Sequence, residues 1–308
     1  MSTALSDSYR NASSRLGIRS TLVGILVNLA LATVKGLAGV VGHSYALIAD
    51  AIESAADVLT SFVVFLGLRM AVKPADKDHP YGHGKFEPLA AAVVGLMLVG
   101  AAILISVESV REIATPHHAP APFTLAVLVA VVAVKEFLFR YVVKVGAEIK
   151  SSAVKADAWH HRSDALTSGA AFVGISIALL GGPGYETADD FAALIAAAII
   201  AINASCILRP ALLELIDTAP DPGIAATVRE VAQEVEGVLG THKCNVRKAG
   251  FDYFVDLDVL CDPEATIRKG HEVAHDVGEA IHARLPYVTK VLVHVEPADD
   301  YGRRTRDL

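Results

Sequence analysis

The sequence lacks the patterns that mark several large classes of protein. It has only three cysteines, Cys206, Cys244 and Cys261, and no CxxC pair. This spacing predicts no disulfide framework and is consistent with simple packing in a reducing cytoplasm. No basic patch lies beyond short clusters of lysine and arginine, and the net charge of −7 argues against a nucleic-acid partner. Residues 1–19 are polar, so no cleavable signal peptide is expected.

Apolar residues, in contrast, are in excess. They make up 53% of the 308 residues, and the mean hydropathy is +0.45. A soluble protein of this size needs fewer for its core. Charges are sparse up to residue 208, and the composition changes at Arg209-Pro210. The sequence predicts a cytoplasmic N-terminal segment at 1–16 and a transmembrane domain at 17–210. A cytoplasmic domain at 211–298 and a charged tail at 299–308 follow.

Several stretches are apolar enough to span a bilayer, for which a helix needs ~20 residues. Six are predicted, at roughly 18–42, 45–72, 87–113, 122–145, 157–181 and 187–208. Lysine and arginine precede the first stretch and surround the second and fourth loops, whereas the odd-numbered loops offer little beyond Arg111. By the positive-inside rule both termini lie in the cytoplasm, and we expect a multi-pass protein of the inner (plasma) membrane. A buried bundle in a soluble protein does not explain this alternation.

Two of the predicted spans carry ionisable side chains, which a bilayer tolerates only when each has a partner or a function. Glu53 and Asp57 lie in the second span, and His160 and Asp164 lie in the fifth. The members of each pair are four residues apart and therefore share one helical face. If the two faces meet, three carboxylates and an imidazole converge, and a cation must neutralise them. The alternative is that these groups only form hydrogen bonds with neighbouring helices or face water at a helix end, which the equal spacing of the two pairs disfavours.

One nitrogen and three oxygen ligands suit a four-coordinate divalent ion such as Zn²⁺, with Fe²⁺, Mn²⁺, Co²⁺ and Cd²⁺ left open. Asp50 precedes Glu53 by three residues on nearly the same face. It is a further ligand, a residue on the path into the site or an outer hydrogen-bond acceptor. We expect Asp157 and His161 to be solvated residues nearer the cytoplasmic end of the fifth span.

These residues lie in segments that resemble the cation diffusion facilitator family. The matching segments are SYALIADAIESAAD at 44–57, HPYGHGKFE at 79–87 and HHRSD at 160–164. The resemblance covers nearly the whole chain and implies a homodimeric antiporter that exports metal from the cytoplasm in exchange for protons.

The resemblance also implies which residues bind metal. The family's intramembrane site corresponds to Glu53, Asp57, His160 and Asp164, although many zinc-transporting members have aspartate in place of Glu53. In the second loop, the resemblance implies a second metal site formed by Asp76, His79 and His83. A polar loop that binds lipid headgroups is the alternative. A salt bridge between Lys85 and Asp217 is expected to join the two domains.

The segment after residue 221 alternates between helix and strand patterns. A helix at about 222–236, strands near 241–248 and 252–261, a helix at about 266–285 and a strand at 288–296 give the order αββαβ. This order resembles the metallochaperone-like cytoplasmic domain of the family, which binds metal and dimerises. The predicted fold class is therefore six transmembrane helices plus a cytoplasmic α+β domain. The resemblance implies metal ligands at His242, Asp258, His271, His294 and Glu296, with Asp258 in place of the usual histidine.

The sequence thus predicts a secondary active transporter and not an enzyme. We expect no prosthetic group, and as partners we expect divalent metal ions, protons and a second copy of the chain. Zn²⁺ efflux would proceed by proton antiport through alternating access, with His160 as the coupling residue, because protons compete with metal for the same ligand atoms. A membrane metal sensor or scaffold is the main alternative. An intramembrane metalloenzyme is disfavoured, since the predicted spans contain no HExxH sequence.

Overall fold

The computed structural model describes residues 2–41, 45–114, 124–181 and 188–298. The side chains of 2–10, 38–41, 45–53 and a few single positions lie outside this description. The chain separates into two compact units, a helical unit at Ser14–Leu212 and a C-terminal unit that begins at Leu213.

Six long helices build the first part of the chain. They are α1 (Ser2–Val41), α2 (Tyr45–Ala71), α3 (Phe86–Ala114), α4 (Thr124–Glu148), α5 (Ser152–Gly181) and α6 (Ala188–Leu215). Each contains or overlaps one predicted span. Helix α1 starts well before its span, so the polar segment at its beginning is also helical, and α6 continues through Pro210.

Three segments within the described residues are long and apolar enough to cross a membrane on composition alone, Asn11–Leu37, Phe86–Arg111 and Phe191–Leu215. The helices between them are more polar, because α4 carries Lys135 and α5 carries Asp157 and Asp164. Spanning by α2, α4 and α5 therefore depends on their polar side chains being covered by neighbouring helices. The count of six spans stays a prediction for these three.

A small α+β fold forms the C-terminal unit, as the sequence predicts. It consists of α7 (Pro222–Gln233), β1 (Gly240–Ala249), β2 (Asp252–Cys261), α8 (Ile267–Arg284) and β3 (Val288–Pro297). Strand β2 is central, antiparallel to β1 and parallel to β3. Asp221 and Thr266 begin the two helices as N-caps, accepting hydrogen bonds from Gly223 N and Lys269 N.

Both helices of this unit pack on one face of the sheet. Buried residues of α7 and α8 meet Val255, Leu257 and Val259 of β2 in a single apolar core. Because side chains alternate along a strand, Asp256, Asp258 and Leu260 project to the opposite face, which the helices do not cover. Cys261 is buried in the core, consistent with a packing role for that thiol.

Candidate functional site

Helices α2 and α5 bring three predicted ligands together. Asp57, His160 and Asp164 each offer a ligand atom, and these atoms lie within 4.8 Å of one another. His160 Nε2 is 3.2 Å from Asp57 Oδ1 and 3.9 Å from Asp164 Oδ2. Asp57 and His160 are buried and Asp164 nearly so. We call these three residues the central cluster.

The helical pattern of each segment explains the convergence. The buried positions of α2 include Ser54, Asp57, Ser61 and Val64, which recur every three or four residues and form one packed face. Asp57 therefore projects toward the neighbouring helices and not outward.

Two predicted members of this site cannot be placed. Asp50 and Glu53 belong to α2, but their side chains lie outside the described residues. Their role as ligands stays a prediction.

Lys135 in α4 is a site residue that the sequence analysis did not single out. It is 1% exposed, and its ammonium donates to Asp57 Oδ2 and to Asp164 Oδ2, both at 2.7 Å. A signal was available, because Lys135 falls in helical register with the buried residues Val131, Leu138 and Val142. Its position near the middle of α4 also places it too far from either end for its stem to carry the charge to an interface.

Asp157 and His161 are not solvated, contrary to expectation. Both are 0% exposed, because α1 and α2 cover this part of α5. Ser61 of α2 donates to Asp157 Oδ1 at 2.8 Å, and a Cβ on Gly24 of α1 would lie 3.1 Å from His161 Nε2. Within the described residues, Asp157 Oδ2 and both ring nitrogens of His161 make no hydrogen bond. The central cluster thus adjoins a second buried polar group on the same helix.

The loop between α2 and α3 holds a second group of ligand-type residues, the loop cluster of Asp76, His79 and His83. His79 Nδ1 is 3.2 Å from Asp76 Oδ1, and His83 Nε2 is 3.4 Å from Asp76 Oδ2. The backbone N–H of His79 donates to Asp76 and holds the pKa of that carboxyl below its ordinary value. The predicted residues of the loop are therefore brought together, with the carboxylate in its anionic form.

The open face of the sheet carries a third group, the sheet cluster of His242, Asp258 and Glu296. His242 Nδ1 is 3.4 Å from Glu296 Oε2, and the exposed His294 lies 3.5 Å from Asp258. Asp258 and His294 are directly paired across β2 and β3. The register of β1 shifts between Thr241 and Cys244, a bulge that contains His242 and lets it share this face.

His271 is the predicted ligand that the structure does not bring into the sheet cluster. It lies on α8, which packs on the other face of the sheet, and the sheet cluster within the described residues does not include it. Its ring instead contacts that of His275, with centroids 4.7 Å apart.

Residues 271–275, HEVAH, have the HExxH order of zinc hydrolases, which the sequence analysis overlooked. Catalytic zinc sites use three protein ligands. Within the described residues no third ligand-type side chain joins His271 and His275 in a cluster, and both are exposed. In the part of the chain that the structure describes, the segment therefore lacks the three-ligand set of a catalytic zinc site.

Acidic residues at the start of the C-terminal unit contact its sheet. Asp217 Oδ2 is 3.4 Å from Arg247 Nη1, and Glu214 accepts hydrogen bonds from Lys248 and from the backbone of Gly250. The predicted salt bridge between Lys85 and Asp217 would join the two units and stays a prediction.

Comparison with known proteins identifies the family of the chain. The family model described as the cation efflux transmembrane domain matches residues 21–216, and the one described as the cation efflux protein cytoplasmic domain matches 220–298. The chain belongs to the cation efflux family. The manganese efflux system protein MneP of Bacillus subtilis is 34% identical over 90% of this chain and 94% of its own length.

Two further relatives extend the comparison. Metal tolerance protein C1 of Arabidopsis thaliana is 34% identical over 90% of this chain, which spans 61% of that longer protein. The magnetosome protein MamB of Magnetospira sp. (strain QH-2) is 32% identical over 88% of this chain and 92% of its own length. Family membership makes this chain a multi-pass membrane transporter for metal cation efflux and not an enzyme. It also confirms the predicted fold class, a helical transmembrane domain with an α+β cytoplasmic domain.

Proposed function

We propose that this transporter exports Zn²⁺ from the cytoplasm by exchange for protons, with the central cluster as its transport site. The observation that carries the proposal is the buried convergence of Asp57, His160 and Asp164 within 4.8 Å. Two carboxylates and an imidazole provide three ligands, and Glu53, one helical turn before Asp57, is the proposed fourth. Charged side chains inside membrane helices mark ion pathways more often than structural features.

Competition for the ligand atoms supports proton coupling. Carboxylate oxygens and imidazole nitrogen bind a metal ion only when they carry no proton, so metal binding releases protons and protonation releases metal. A site that opens in turn to the cytoplasm and to a more acidic exterior would therefore export metal while it admits protons. In this scheme His160 is the proposed coupling residue, because imidazole is the side chain whose ordinary pKa lies nearest neutral pH.

Mn²⁺ is the second candidate cargo. The relative named as a manganese efflux protein shares 34% of its residues with this chain. Carboxylate oxygens suit Mn²⁺, whereas imidazole suits Zn²⁺ and Fe²⁺, so a mixed site does not by its ligands exclude any of these ions.

The two outer clusters are proposed as cytoplasmic metal sites. The loop cluster would bind metal in the loop between α2 and α3, and the sheet cluster, with His294, would bind it on the open sheet face. Metal there would favour association of two chains into a homodimer through the cytoplasmic domain, with both termini in the cytoplasm and the helices in the inner membrane.

Metal uptake into proteoliposomes tests this function. Zn²⁺, Mn²⁺, Fe²⁺, Co²⁺ and Cd²⁺ are supplied outside vesicles whose interior is acidic, with and without an ionophore that dissipates the pH gradient. Zn²⁺ uptake that depends on the gradient and is lost in Asp57→Asn would support the proposal. Asp276→Asn, on an exposed position of α8, is the matched control and should retain uptake.

Other outcomes identify the alternatives. Uptake of Mn²⁺ without Zn²⁺ would replace the cargo, and uptake insensitive to the ionophore would exclude proton antiport. Tight binding of metal with no uptake of any ion would favour a membrane metal sensor or scaffold.

A further inference from the structure

The ammonium of Lys135 occupies the middle of the central cluster. Its Nζ lies 2.7 Å from one oxygen of Asp57 and 2.7 Å from one oxygen of Asp164, on two different helices. The side chain is 1% exposed, so no solvent shares these contacts. Charge-assisted hydrogen bonds of this length are among the strongest that proteins form.

Metal and ammonium cannot occupy these oxygens together. Zn²⁺ binds carboxylate oxygen at about 2.0–2.2 Å. An ion that bridges Asp57 Oδ2 and Asp164 Oδ2 must therefore lie between the two atoms that Lys135 Nζ now bridges. The lysine has to leave this position before the metal takes it, and its flexible four-carbon stem allows the ammonium to withdraw without movement of α4.

The charges of the two carboxylates explain why a cation is needed here. Asp57 and Asp164 together carry a charge of −2, which a divalent ion neutralises. The ammonium of Lys135 compensates part of this charge while no metal is bound. Without either cation, two carboxylates would face each other in a low-dielectric environment, which is costly.

We propose that Lys135 is a tethered counter-cation, which partly compensates the negative charge of the central cluster when the transporter carries no metal and which the incoming ion displaces. The inference rests on the proposed function, in which the central cluster is the transport site. It assigns Lys135 two effects. The lysine lowers the affinity for metal by competing with it, and it allows the empty carrier to return without an uncompensated pair of carboxylates.

Metal affinity of the full-length protein tests the proposal. Zn²⁺ and Mn²⁺ titrations are made at constant pH in a background with Asp76→Asn and Asp258→Asn, which weakens the other two clusters. Lys135→Met, of similar length and without charge, should bind metal roughly tenfold or more tightly, since unit charges a few ångströms apart in a protein interact strongly. A merely structural lysine would, when replaced, disturb the ligands and weaken binding.

Two further variants control for charge and folding. Lys135→Arg keeps the positive charge and should retain the weaker affinity of the parent protein. Lys144→Met, on an exposed position of the same helix, should leave the affinity unchanged. If Lys135→Met does not fold, Lys135→Met combined with Asp164→Asn removes one charge of each sign, and it should bind metal more tightly than Asp164→Asn alone.

The rate of transport should change in the opposite direction to the metal affinity. Lys135→Met should take up metal several-fold more slowly than the parent protein in proteoliposomes, despite its tighter binding, because release and return of the empty site are impaired.

The proposal would be overturned if Lys135→Met bound metal no more tightly than the parent protein. It would also be overturned if Lys135→Arg bound metal as tightly as Lys135→Met. Asp57→Asn distinguishes failure of the proposed transport site from failure of the proposed role of Lys135. If it leaves metal binding unchanged, the proposed transport site itself fails. If it abolishes binding while Lys135→Met does not tighten it, only the role of Lys135 fails.

Discussion

The carboxylate of Glu87 in α3 accepts a hydrogen bond from the backbone N–H of Ala153, at the start of α5, across 2.6 Å. The same oxygen, Oε1, accepts a hydrogen bond of 2.5 Å from the hydroxyl of Ser151. Ser151 in turn accepts from the backbone N–H of Val154 at 3.1 Å and so caps the helix. Glu87 is 0% exposed. A carboxylate near the positive end of the helix dipole therefore fixes the start of the helix that carries His160 and Asp164.

Glu87→Ala should lower the free energy of unfolding by on the order of 2–3 kcal/mol, because a hydrogen bond to a charged group contributes about 1.5–3 kcal/mol and its buried donors would lose their partner. Thermal unfolding of the purified protein in detergent measures the change. Glu148→Ala, on an exposed position at the end of α4, is the control and should shift stability by less than about 0.5 kcal/mol. Equal stability of the two variants would contradict this role for Glu87.

Spacing along the chain predicted the three residues of the central cluster, whereas the burial of the neighbouring Asp157 and His161 depends on tertiary packing. Asp57 and the pair His160 and Asp164 could be found because helical periodicity is a local property of the sequence. The burial of Asp157 and His161 could not, since it depends on α1 and α2 covering that face of α5. The position of Asp157 and His161 near the cytoplasmic end of the fifth span predicted solvated side chains, but the neighbouring helices cover them.

Lys135 and His271 show what spacing along the chain does not determine. Lys135 lies in a clear helical register with buried residues, yet the sequence analysis did not predict it as part of the site. His271 matched a family position, but the face of the sheet on which its helix packs is fixed by the apolar residues Val273 and Val277. The αββαβ pattern was predicted well, because alternation, caps and the Gly250 turn are all local signals.

The loop cluster should lose metal when its carboxylate is neutralised. Asp76 contacts both histidines of the cluster, so Asp76→Asn should weaken metal binding there by roughly tenfold, equivalent to about 1.4 kcal/mol. Titration of the full-length protein with Zn²⁺, in a background with Asp57→Asn and Asp258→Asn, measures this loss. Asp78→Asn in the same loop should have no effect, because the Asp78 carboxylate is not part of the cluster.

The pH dependence of that site follows from the direction of the Asp76 shift. The pKa of its carboxyl lies below the ordinary value of 3.8, so the anionic form persists as pH falls and is lost only below that value. Acidification from pH 7 to pH 5 should therefore leave the Asp76 contribution to metal binding intact. If Asp76→Asn abolished the pH dependence of binding in this window, the lowered pKa of Asp76 would be wrong.

Metal binding at the sheet cluster can be tested with two substitutions on one strand. Asp258→Asn should reduce the affinity of the cluster for metal by roughly tenfold, because a carboxylate ligand is replaced by a neutral amide. Asp256→Asn is the matched control, since Asp256 lies two residues away on the same open face but outside the cluster. Calorimetric titration, in a background with Asp57→Asn and Asp76→Asn, compares them. Equal affinities would exclude Asp258 as a ligand.

The approach of α2 to α3 depends on the absence of a side chain at Gly67. A Cβ at this position would overlap Ala90 Cβ and lie 3.1 Å from the carbonyl oxygen of Phe86. Neither atom is the flexible end of a side chain, so Gly67→Ala must push the two helices apart, at a cost of about 1–3 kcal/mol for overpacking. Gly169→Ala in α5 meets no atom within 4 Å and should be neutral or stabilising by up to about 1 kcal/mol, because alanine favours helix more than glycine does. Thermal unfolding in detergent distinguishes the two variants. A Gly67→Ala protein as stable as Gly169→Ala would mean that α2 and α3 do not pack this closely, and the position of Asp57 on α2 would then need revision.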